Sequence, residues 1–201
     1  MPNVTLIPNG DQTIDFGWVG DPIVALGNLY TNIDEYGDPS YPDGDYIYNL
    51  TNNRVAAFNL SNPLIPAGSV ITNVRVDVRA MQTGVANMEI LIGDPNDTAT
   101  YDASTTHTVL SSWSNYTTSW ATDPFNSNAA WTTSEIDDFR AGVRTDIGRG
   151  RNKRLEIEAI WVIVTYTLSA GYSNDVNGVD SGDIAKVNGI ATADISKVNG
   201  V

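Results

Sequence analysis

Histidine occurs once, at position 107, and cysteine not at all. A Ser-His-Asp triad would therefore have to be built on His107, which sits at an alternating position of a Thr-rich segment where a structural or exposed role is expected. Histidine zinc sites need more than one imidazole, and the lack of cysteine excludes disulfides and thiolate metal sites. Carboxylates are plentiful, with 24 Asp and Glu residues. Two suffice for glycoside hydrolysis, and Glu156 and Glu158, two apart on one strand, share a face. That spacing reads as a solvated strand rather than as an acid and base pair. No phosphate-binding loop is present. The expectation is a protein without enzymatic activity and without a resident cofactor.

Two clusters could bind instead of react. Tyr30, Tyr36, Tyr41, Tyr46 and Tyr48 interleave with Asp34, Glu35, Asp38, Asp43 and Asp45 in a stretch punctuated by Gly and Pro. Flat amphipathic rings beside oxygen acceptors suit sugar stacking, a calcium ion on Asp34, Asp38, Asp43 and Asp45, or a protein interface through Tyr36 and Tyr41. An irregular polar loop over the edge of the domain explains the same residues. Further on, Arg144, Arg149, Arg151, Lys153 and Arg154 place five of the 11 basic residues in one Gly-rich segment. Arg149, Arg151 and Lys153 would then meet a neighbouring subunit's acidic face or an anionic polysaccharide, unless they decorate an ordinary solvated hairpin.

These residues need a scaffold, and the patterning describes a β one. From Ser69 to Met81, Val70, Val74, Val76, Val78 and Ala80 alternate with Asn73, Arg75, Asp77 and Arg79, the period of a strand with one wet side. Leu155 to Leu168 is apolar on both parities after Glu158, as expected of a central strand covered on both faces. Shorter strands are predicted over Val4 to Ile7, Thr13 to Trp18, Tyr46 to Leu50, Val55 to Leu60, Asn87 to Ile92, His107 to Leu110 and Tyr116 to Trp120, separated by turn clusters such as Gly93-Asp-Pro-Asn. One helix is predicted after Trp131. Thr132-Thr-Ser-Glu135 is a capping box, Ile136, Phe139 and Val143 mark an apolar face, and Gly142 would end it.

The last 26 residues repeat with a period of 11, each unit opening with Val-Asn-Gly. Ser181 and Thr192 can cap short helices, Asp183 and Asp194 suit their first turns, and Ile184 with Val187 and Ile195 with Val198 form apolar pairs. Gly189 would close one such helix in the left-handed conformation, with Ile190 folding back on it. A continuous helix is the competing form, disfavoured by a Gly in each repeat. About two repeats bury too little apolar surface to fold alone, so the stripe Ile184, Val187, Ile195 and Val198 reads as a docking element. The division expected is a β-sandwich over 1–168 and a docking tail over 169–201.

Two resemblances bear on these readings. Asp175-Val-Asn-Gly with Asp180, Ser181 and Asp183 resembles a shortened dockerin repeat, although the spacing of a 12-residue calcium loop is lost. Leu64-Ile-Pro-Ala-Gly-Ser-Val-Ile-Thr-Asn-Val-Arg-Val-Asp-Val-Arg-Ala80, then Ala130-Trp-Thr-Thr-Ser-Glu-Ile-Asp-Asp-Phe-Arg-Ala-Gly-Val143, and a last Ile-rich strand ending at Tyr166 are similar to the jelly-roll modules of bacteriophage structural and appendage proteins. That resemblance covers roughly residues 60 to 168 and implies an antiparallel jelly-roll β-sandwich in a virion, a capsid decoration or tail appendage working as a homo-oligomer through protein contacts. The alternative is a carbohydrate-binding adhesion module that meets a surface glycan.

Charge and segment content narrow the partners. A net charge of −13 argues against nucleic acid as the partner, because phosphate neutralisation needs a basic face. No apolar run approaches the roughly 20 residues that span a membrane, and Met1-Pro-Asn-Val-Thr has neither the basic nor the apolar region of a secretory signal. The expectation is a protein made in the cytosol and placed in a virion or another extracellular assembly.

Overall fold

The computed structural model describes residues 1–25, 27–33, 45–66, 68–94, 97, 99–147 and 153–168, with the backbone of 186, 187, 190 and 191. Two antiparallel sheets face each other. In the first, β6 (Val70–Thr83) and β12 (Arg154–Thr167) pair along nearly their whole lengths, β10 (Ser114–Trp120) flanks β6, and the far side of β12 is shared by β4 (Tyr46–Asn49) and β1 (Asn3–Leu6), with β3 (Val19–Asp21) outside β4. The second runs β2 (Pro8–Ile14), β5 (Val55–Leu60), β11 (Arg140–Ile147), β7 (Ala86–Gly93) and β8 (Tyr101–Ala103), with β9 (His107–Thr108) also on β7. From β5 to β7, and again from β9 to β12, the chain crosses between the sheets. This is an all-β jelly-roll sandwich with one short α-helix.

The alternation read in β6 is what fills the core. Val74, Val76, Val78 and Ala80 are fully buried between the sheets, facing Phe58, Ile90, Ile92, Ala141 and Val143 from the second sheet in one continuous cluster. Each large apolar side chain removed from water in this way contributes about 1.5–3 kcal/mol.

β12 has a different reason for its apolar run than cover on both faces throughout. Its pairing with β6 slips between Ile157 and Ala159, a β-bulge. Leu155 and Ile157 point inward before it and Ile160, Val162 and Val164 after it, so the parity of the buried positions switches at Glu158. The extra residue re-aims the strand and sets Glu158 and Trp161 on the outer face together.

The helix is shorter than its sequence pattern. Its capping box is formed, with the Thr132 amide donating to Glu135 Oε2 at 2.6 Å and the Glu135 amide donating to Thr132 Oγ1 at 3.3 Å. It spans only Thr133–Asp137, however, and the chain enters β11 at Arg140. Gly142 is not a helix terminator but the middle of a central strand, where an added Cβ would lie 2.1 Å from the Ala56 carbonyl oxygen. Ile136 and Phe139 are buried from the helix and the following link, Val143 from the strand. Tertiary pairing on both edges of β11 overrides a local pattern that fits helix and strand alike.

In the tail, Lys186–Val187 pairs antiparallel with Ile190–Ala191. Extended pairing stands where the end of a short helix is expected, because Asn-Gly between two β-branched residues is a hairpin signal as well as a helix stop. Ile184, Ile195 and Val198 lie outside the described residues.

Candidate functional site

Pairing across β10, β6, β12, β4 and β3 lines up the side chains that point away from the core. Ser119, Arg75 and Ile163 form one row, Thr117, Asp77 and Trp161 the next, then Asn115, Arg79 and Ala159, and then Met81, Glu156, Tyr48 and Val19. Arg154 follows opposite Thr83. The signal in the sequence was the charged alternation Arg75-x-Asp77-x-Arg79.

Charge on this outer face is arranged in pairs. Arg75 donates from Nε and Nη2 to Asp77 Oδ2 at 3.1 and 2.8 Å, and the Thr117 hydroxyl donates to the other oxygen of Asp77 at 2.5 Å. Arg79 Nε donates to Glu158 Oε2. Arg154 Nε donates to Glu156 Oε1 at 2.8 Å, and the Thr83 hydroxyl reaches the same oxygen at 3.3 Å. Every pair has the same polarity: the carboxylate side chains of Asp77, Glu158 and Glu156 are 5, 1 and 2% exposed, whereas the partner guanidinium side chains are 41, 25 and 31% exposed. Glu156 and Glu158 are thus not solvated, as their spacing suggests, but buried in ion pairs.

Aromatic rings cover the same region. Arg154 lies over Tyr48 and Tyr46, 4.8 and 5.5 Å from their ring centroids. Trp113 enters from the opposite edge beside β10, and its ring meets Tyr46 at 6.1 Å, so an aromatic bridge crosses the sheet at the level of Glu156. Tyr46, Tyr48, Trp113 and Trp161 are all half-buried. Tyr46 donates its hydroxyl to Asp21 Oδ2 at 2.7 Å. Burial, with that hydrogen bond second, raises the Tyr46 phenol above its ordinary value, so it is a neutral donor at physiological pH. Burial of Arg154 works to lower its pKa, but the hydrogen bond and charge of Glu156 outweigh it and raise the value further.

A cleft of about 530 Å³ opens beside the other sheet. Amides line much of it, from Asn9, Gln12, Asn59 and Asn62, with Asp138 and Arg140.

The residues singled out from sequence are distributed unevenly. Asp34, Tyr36, Asp38, Tyr41 and Asp43 lie outside the described residues, as do Arg149 and Arg151. Asp45 immediately precedes β4, and Lys153, half-buried, immediately precedes Arg154. Among the described residues no cluster of three metal-ligating side chains is found. Other acidic residues serve the backbone: Asp11 accepts from the amides of Gly27, Leu29 and Tyr30 at 2.8–3.0 Å. His107 is structural, its Nε2 3.0 Å from the Thr118 hydroxyl and its ring edge-on to Tyr116, joining β9 of one sheet to β10 of the other. Arg154 belongs to the basic segment named from sequence, whereas Arg75 and Arg79 stand there only as the wet side of a strand and Trp113 and Trp161 carry no site signal, because only the register brings these residues together.

Fold and site define a jelly-roll β-sandwich whose first sheet carries an aromatic, ion-paired outer face. No protein-family model matches the chain, and no curated protein does. Among solved structures it is similar to a xylan-binding module, CBM15, at 15% identity over 82% of this chain and 98% of that one with a TM-score of 0.45. A xylan-binding domain from Paenibacillus barcinonensis is similar at 9% identity over 80% and 92% of the two chains with a TM-score of 0.43. A cyclase from Fischerella sp. TAU is similar at 12% identity over 82% and 98% with a TM-score of 0.38.

Proposed function

We propose that this chain is a non-catalytic glycan-binding module that holds a polysaccharide against the outer face of its first sheet. The observation that carries this reading is the presence on one rigid sheet face of four half-buried aromatic rings and three immobilised guanidinium–carboxylate pairs. A sugar ring presents an apolar face of C–H groups and an edge of hydroxyls. The first stacks on aromatic rings, and the second needs donors and acceptors side by side. Arginine paired with carboxylate supplies both in fixed geometry, and its orientation is preorganised by the pair. Hydrolysis has no support from the same residues, since Glu156 and Glu158 are each engaged by an arginine and buried.

The 11-residue repeat favours a second role beside this one, attachment of the module to a larger assembly such as a virion through the tail. The two separate in experiment. On a glycan array the full chain should bind, and Trp113→Ala and Tyr48→Ala should weaken binding by about tenfold, the loss of roughly 1.4 kcal/mol, while cooperative unfolding is retained. A wild-type chain that binds no glycan but sediments as a large assembly would replace this reading with the structural one.

A further inference from the structure

The polarity of the ion pairs goes one step further. On the assumption that this face binds glycan, we infer that its ligand is an acidic polysaccharide, one bearing carboxylate or sulfate groups. In each of the three pairs the negative group is inside and the positive group is outside: the guanidinium side chains of Arg75, Arg79 and Arg154 are 41, 25 and 31% exposed above carboxylates that are at most 5% exposed. What a ligand meets first is a row of guanidinium groups, and the acids beneath hold them in place.

The hydrogen bonds leave the right atoms outward. Arg79 and Arg154 engage their carboxylates through Nε. In the planar guanidinium of Arg79 this leaves the two terminal amines for a carboxylate or sulfate to meet bidentately, whereas Arg154 also hydrogen-bonds Tyr46 and offers its remaining N–H groups. Along β6 and β12 the three arginines stand at successive positions four residues apart in register, Arg75, Arg79 and the Thr83 partner Arg154. At about 3.3 Å per residue the row extends roughly 26 Å, the reach of a chain rather than of a single sugar. A neutral glycan would use the rings equally well, yet would leave these terminal amines with only hydroxyls to meet. The net charge of −13 does not oppose the assignment, because charges elsewhere on the molecule are screened beyond about 8 Å at physiological ionic strength.

The test compares paired probes in calcium-free buffer: polygalacturonate, alginate and hyaluronan, each with its carboxyl-reduced neutral derivative, together with neutral xylan and galactan. The full chain should retain at least one acidic polymer about tenfold or more tightly than its neutral derivative, as charge-assisted hydrogen bonds contribute about 1.5–3 kcal/mol each. Raising NaCl from roughly 20 to 500 mM should erase most of that preference. Arg79→Gln with Glu158→Gln removes the outward cation together with its buried partner and should lower affinity for the acidic polymer by a clearly larger factor than for its neutral derivative, narrowing the preference between the two. Equal retention of acidic and neutral forms, or a preference untouched by salt and by the double substitution, would overturn the acidic assignment and leave the glycan-binding reading in place. Retention of no polymer at all would remove both.

Discussion

The pair Arg154–Glu156 allows the buried-acid, exposed-base arrangement to be tested by stability alone. The Glu156 side chain is 2% exposed and has two partners, Arg154 Nε at 2.8 Å and the Thr83 hydroxyl at 3.3 Å. Arg154→Gln leaves that carboxylate buried with only a hydroxyl beside it. Breaking a buried pair in this direction costs about 3–5 kcal/mol, and the lower end applies here because Arg154 is partly in water. The reverse substitution is unequal. In Glu156→Gln the freed guanidinium, 31% exposed and still lying over Tyr46 and Tyr48, can rehydrate, so the cost should be near 1 kcal/mol. The double substitution carries no uncompensated charge and should return to within roughly 1 kcal/mol of the parent. Urea unfolding of the three variants at pH 7 measures all of these against a total stability of about 5–15 kcal/mol. Equal losses in the two single variants, or a double variant as unstable as Arg154→Gln, would refute the claim that the carboxylate is the buried member and the cation the solvated one.

Three further outcomes follow from other parts of the fold. Gly142→Ala should destabilise by about 3 kcal/mol or more, since its Cβ would sit 2.1 Å from the Ala56 carbonyl and 2.7 Å from the Ala57 Cα, both backbone atoms of a paired strand, whereas Gly10→Ala, whose nearest neighbour is the Asn59 amide at 3.8 Å, should stay within about 0.5 kcal/mol; similar urea midpoints for the two would place Gly142 outside the centre of the sheet. Thr132→Ala should cost about 1 kcal/mol through loss of the capping box, and a thermal melt indistinguishable from the parent would show the cap to be idle. Burial lowers the His107 pKa, so the unfolded chain takes up its proton first, near pH 6.5; this contribution is intact above that pH and is lost as pH falls through the depressed folded value, and His107→Gln should flatten the decline in melting temperature between about pH 7 and pH 5.

Much of the scaffold was legible because its signals are local. The alternation of Val74, Val76, Val78 and Ala80 has one physical solution, a strand with one buried face, and β5 spans Val55–Leu60 as its apolar run indicates. The Thr132 capping box needs only residues three apart, and it forms. Misreadings fall where a local pattern is ambiguous. Arg140 to Val143 fits the end of the predicted helix, and only pairing with β5 on one edge and β7 on the other makes it part of a strand.

By itself, the sequence determined the class, an antiparallel sandwich, and set the chemical inventory, with no cysteine and a single histidine. It also held the charged alternation of Arg75, Asp77 and Arg79. What it did not contain was the partner of each charge. Glu158 meets Arg79 across 79 positions of chain, where the bulge at Glu158 shifts the register of β12 by one residue, and Trp113 meets Tyr46 across the width of the sheet. Because side chains in a strand alternate with a period of two, that one extra residue exchanges inner and outer faces for everything after it. Which carboxylates are buried, which guanidiniums face solvent and which rings share their face were therefore decided by the tertiary structure.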